Sequence, residues 1–114
     1  MRIVDHKTFL AMPAGTVFSK YSPGAFDSLA IKGETVGTID FFVQEIESAV
    51  DADHSGDLYD KLEAAQHKGA SLSMDFNCEG RDGLFEPEQL FAVWEKADVE
   101  GLIARLQQCL PVLA

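Results

Sequence analysis

Thr38-Ile39-Asp40-Phe41-Phe42-Val43-Gln44-Glu45-Ile46-Glu47-Ser48-Ala49-Val50 is the stretch whose reading decides the fold. Ile39, Phe42, Val43, Ile46, Ala49 and Val50 fit helical spacing. The aromatics favour β structure, and three β segments come before it, so a strand is assigned to 39–47. The choice reaches into the next segment. A helix at 38–50 would lead into Asp51-Ala52-Asp53-His54-Ser55-Gly56-Asp57-Leu58, the opening of an EF-hand-like loop.

Working back toward the N-terminus, Thr16 to Ser22 reads as a strand rich in Val17, Phe18 and Tyr21. Pro23-Gly24 is a turn, because Pro presets φ and Gly supplies the positive φ that follows. Phe26 to Lys32 is a second strand, Gly33-Glu34 a turn or bulge, and Thr35-Val36 extended. Residues 5–12 suit a short helix capped by Asp5, with Phe9, Leu10 and Met12 inward and Pro13 as its stop.

Working forward, Ser55 caps a helix with Asp57 and Asp60 at its positive end, Lys68 at the other, and Gly69 as the C-terminal stop. Its apolar face is Leu58, Leu62 and Ala65. Ser71 to Asn77 reads as a strand, 78–83 as a polar loop, and Leu90 to Glu95 as an apolar strand. Asp98 caps a last helix whose stripe is Val99, Leu102, Ile103, Leu106 and Leu110, ended by Pro111. Strands first and helices later predict an α+β fold. It has a mostly antiparallel sheet of about five to six strands with two helices packed on one face, in a single domain over 1–114.

The acidic loop nearly binds calcium. Asp51, Asp53, Ser55, Gly56 and Leu58 match an EF-hand loop, but its twelfth position is Leu62 and the carboxylate arrives one residue late at Glu63. A second window, from Asp75 to Glu86, puts Asp82 where an apolar residue belongs. Residues 64–74 also have no room for the two helices that separate paired loops. No cofactor is therefore expected. Calcium bound through Asp51, Asp53, Ser55 and Asp57 is the alternative.

Composition narrows the function classes. The chain has 114 residues, 46% of them hydrophobic and eight of them Phe, enough for one ordered core. Nineteen acidic residues against nine scattered basic ones give a net charge of −10. That balance repels a phosphate backbone and an anionic membrane, so neither is an expected partner. Cys78 and Cys109 lack zinc spacing. With no signal peptide or membrane span evident, a cytoplasmic protein with two free thiols is the economical reading.

The remaining chemistry is sparse. His6, His54 and His67 form no HExxH pair, and Gly80-Arg81-Asp82-Gly83 is too short and acidic to cradle phosphate. Phe85, Phe91 and Trp94 read as core. The loop 78–88 concentrates charge and backbone freedom, so Glu79, Arg81, Asp82, Glu86 and Glu88 are the candidate partner contacts.

Three stretches carry a resemblance: Ala14 to Tyr21; Ile31 to Thr35 together with Asp40-Phe41-Phe42; and Gly80 to Phe85 running into Gln89 to Glu95. In these the chain resembles small bacterial and prophage-encoded proteins of no assigned activity. The resemblance implies a phage or prophage accessory protein and transfers no catalytic residue. The expected function is a non-enzymatic one, exerted through contact with a protein partner or as a homodimer joined at a sheet edge. The alternatives are calcium modulation through the 51–57 loop and an acidic mimic of nucleic acid that competes for a basic protein.

Overall fold

The computed structural model describes residues 1–113. Its elements run β1 (Arg2–Val4), α1 (His6–Leu10), β2 (Val17–Ser22), β3 (Ala25–Val36), β4 (Asp40–Glu45), α2 (Ser55–Lys68), β5 (Gly80–Arg81), β6 (Leu90–Val93) and α3 (Lys96–Gln107), then a 3₁₀ turn at Leu110–Val112. The six strands form one open sheet in the order β1-β6-β2-β3-β4-β5, antiparallel throughout. The fold is α+β.

The middle of the deciding stretch is a strand, shorter at both ends than the 39–47 expected. Residues 40–45 pair with β3, Ile31 opposite Gln44 and Lys32 opposite Val43. The Gly33-Glu34 expectation resolves into a bulge: β3 runs through it, and its register with β4 shifts between Lys32 and Thr35. Gly33 is needed there, because a Cβ would lie 2.8 Å from Phe42 Cβ. At Pro23-Gly24 the glycine has φ 81°, the conformation the turn demanded.

Four phenylalanines make the core. Phe9 of α1 stacks on Phe91 of β6 with centroids 3.9 Å apart, and meets Phe18 at 4.6 Å and Phe41 at 5.1 Å. Phe9, Phe18, Phe41 and Phe91 are all buried. A helix of five residues thus seals the sheet. Asp5 caps it as expected, its Oδ1 accepting from Thr8 N–H at 2.8 Å. The longer helices bury no residue at all.

Several local expectations need correction. Residues 71–77 form no strand. They make an isolated bridge, Val50 to Met74, and two backbone bonds to residues 49–51, and Asp75 O accepts from Gln44 Nε2 at 3.4 Å. Met74 and Phe76 stay exposed, so no apolar surface holds that segment against the sheet. His54, not Ser55, caps α2, its Nδ1 accepting from Asp57 N–H at 3.1 Å. Glu95, not Asp98, is the cap position of α3. Asp98 serves from inside the first turn, accepting from Glu95 N–H at 2.8 Å. Two short strands, β1 and β5, lay outside the expected set.

Candidate functional site

Strand β4 begins with a buried carboxylate. Asp40 accepts from Phe41 N–H at 2.9 Å, from Gly83 N–H at 2.9 Å and from Arg81 Nε at 2.7 Å, with Arg81 Nη2 at 2.6 Å. The Gly83 N–H, with Phe41 N–H and the Arg81 guanidinium, holds the Asp40 carboxyl below the ordinary carboxylate range. A buried anion is tolerated only when paired and hydrogen-bonded, and here Phe41 of β4, Arg81 of β5 and Gly83 of the loop that follows β5 supply the partners. Asp40 therefore staples that loop to the sheet.

Contacts at two further residues, Asp82 and Glu86, tie the same loop down. Asp82 Oδ1 takes a 2.6 Å ion pair from Lys20 of β2, both side chains mostly buried, and Asp82 N–H donates to Phe41 O at 3.0 Å. The buried His6 ring of α1 sits between two backbone carbonyls, Glu86 O at 2.6 Å from Nδ1 and Ile39 O at 2.8 Å from Nε2. A carbonyl oxygen only accepts, so the neutral ring donates to one of them and the charged ring to both. Residues 80–86 are thus fastened at 81, 82, 83 and 86.

Between these fastenings the loop turns outward. Phe85 adopts φ 52°, the one non-glycine residue at positive φ among those described. Leu84 is 67% and Phe85 54% exposed. Phe85, read from the sequence as core, is a surface residue. Phe91 is core as expected, and Trp94 is half-buried. A bulky residue in the left-handed region persists only where its surroundings over-determine it. Beside the tip lies an open cleft of about 430 Å³, floored by Phe18, Ala30 and Val43, with Lys20 and Arg81 among its lining residues.

The candidate contacts are divided by this arrangement. Arg81 and Asp82 are fasteners, not free charges: Arg81, half-exposed, pairs with Asp40, and the mostly buried Asp82 pairs with Lys20. Glu79 lies over Gly33, where a Cβ would meet its Oε2 at 2.5 Å. Glu86 and Glu88 are exposed beside the tip, Glu86 Oε1 accepting from Glu88 N–H at 3.2 Å. Lys20, Asp40 and His6 complete the assembly, and none was singled out for this role in the sequence. The available signal was Asp40, an acid opening an apolar strand.

The acidic segment 51–57 lies elsewhere and builds the start of α2. Asp57 Oδ2 accepts from Asp53 N–H at 2.9 Å and pairs with Lys61 at 3.2 Å, and these two contacts hold its carboxyl low. Lys61 also donates to Asp51 O at 2.8 Å. Ser55 is the first helical residue. Among the described residues, no three His, Cys, Asp or Glu side chains are placed to hold a metal ion. No described helix is long and apolar enough to cross a membrane.

Compared with protein-family models, curated proteins and solved structures, the chain matches none.

Proposed function

We propose that this is a non-enzymatic accessory protein that binds a protein partner through the tip of the 80–86 loop. Leu84 and Phe85 enter an apolar pocket on the partner, and Glu86 and Glu88 meet a basic rim around it. The observation that carries the reading is Phe85, exposed yet held at φ 52° in a loop fastened on both sides. Strain of this kind is characteristic of binding positions, and an aromatic presented by a rigid backbone loses little conformational entropy on docking. The surplus of acidic residues suits a basic partner and speeds its approach.

The test is affinity capture by the immobilised protein, comparing wild type with Phe85→Gly and Leu84→Ala. Wild type retains a stoichiometric basic protein that elutes at high salt, and each variant weakens that capture at least about tenfold. Undiminished capture by Phe85→Gly would overturn the proposal.

A further inference from the structure

A second surface lies on α3, and it asks for a partner of its own. The chain exposes 7833 Å². A compact monomer of 12.5 kDa exposes about 6,200 Å². The excess is larger than the ~800 Å² per partner that a stable protein interface buries. The radius of gyration, 16.0 Å, likewise exceeds the roughly 13 Å of a compact chain this long. Helix α3 and the 3₁₀ turn after it contribute to both, since they bury no residue and leave Ile103, Leu106 and Leu110 more than half exposed.

Its apolar stripe is Val99, Ile103, Leu106 and Leu110, and the chain keeps its right-handed course through Gln108 and Cys109 to reach Leu110. The spacing is four, three, four, which reads the same in both directions. A two-fold axis near the Ile103–Leu106 midpoint therefore sets Val99 opposite Leu110 and Ile103 opposite Leu106 when two copies lie antiparallel. Every residue of this row then meets an apolar one, while Leu102 of the longer stripe lies beside Trp94 and Met1 instead. The chain carries no charged residue from Leu106 to Leu113, so the contact brings no carboxylates together despite the net charge of −10.

We infer that the α3 stripe is a self-docking surface and that the protein forms an antiparallel two-fold dimer through it. In this arrangement the two helices, and not the sheet edges, form the joint. Because the two −10 chains repel at a distance, association tightens as salt is added.

Sedimentation equilibrium of the purified chain over a concentration series tests this. Wild type approaches twice the 12.5 kDa chain mass. Ile103→Glu/Leu106→Glu is monomeric, and Ala104→Glu, which places the same charge off the stripe, still dimerises. Leu106→Ala adds no charge and weakens association at least about tenfold. The changed side chains are exposed, so circular dichroism confirms that the fold is kept. A wild type that is monomeric throughout would overturn the inference and leave the loop-tip reading standing. A dimer that survives the double substitution, or one that Ala104→Glu disrupts equally, would overturn it too.

Discussion

Replacing Phe85 separates backbone strain from side-chain contact. The left-handed region costs a residue with a Cβ about 1–2 kcal/mol. Phe85→Ala keeps that cost and loses the ring. Phe85→Gly loses the same ring and escapes the cost, but gives up about 0.5–1 kcal/mol more chain entropy on folding than alanine does. The ring cancels between the two variants. Phe85→Gly is therefore more stable than Phe85→Ala by about 0.5–1 kcal/mol, roughly 2–4 °C in melting temperature for a domain of this length. At an ordinary position with negative φ the order is reversed by a similar amount. Urea unfolding of the two variants side by side, with equal m-values, reads the difference directly. If glycine proves the less stable, position 85 is not held at positive φ and the argument for a preset tip fails.

Other perturbations test the framework behind the tip. Phe9→Ala removes the ring around which the core is stacked and costs about 3–5 kcal/mol, a large part of the stability of any small domain, measurable by chemical denaturation. Lys32 is buried with its ammonium held by Gly33 O at 3.0 Å and Thr35 Oγ1 at 2.8 Å, and burial lowers its pKa. Lys32→Met replaces a buried charge with an apolar chain of similar length and raises stability by about 1 kcal/mol. Acid weakens the fold in a defined window. Asp5, Asp40, Asp57 and Asp98 all have folded-state pKa values below 3.8, so their contribution is full above that value and is lost as pH falls through the lowered values. The amino terminus acts in the opposite sense. Asp98 and Glu95 raise its pKa above 8.0, so its contribution is present below that value and is lost as pH rises through the raised one. Thermal midpoints against pH should therefore fall on the acid side as these carboxylates protonate, and Asp40→Asn should flatten that limb.

Much of the sheet was legible because its residues obey local rules. The turn at Pro23-Gly24, the β-favouring content of 39–47, and the Asp5 cap each express a backbone preference that survives in the fold. The α3 stripe was equally plain, but periodicity tells only that a face is apolar, not that its own chain covers it. Strands β1 and β5, of three and two residues, are too short to show any period, and they exist because neighbours offer them hydrogen bonds. The fastening of the loop was illegible for the same reason. Asp40 meets Arg81 and Gly83 across some forty residues, and His6 meets Glu86 across eighty, so only the tertiary fold joins them. The acidic segment 51–57 was ambiguous as read from the sequence: it resembles a calcium loop because caps and calcium loops draw on the same short acidic side chains.

Amide hydrogen exchange of residues 80–86 tests the held tip most directly. Asp82 N–H is bonded to Phe41 O and Gly83 N–H to the buried Asp40 carboxylate. These two amides should be protected to nearly the level of the β3 and β4 amides, while Leu84, at the tip, exchanges quickly. Exchange of Asp82 and Gly83 at the rate of an unstructured peptide would show that the loop is not fastened and would contradict the account.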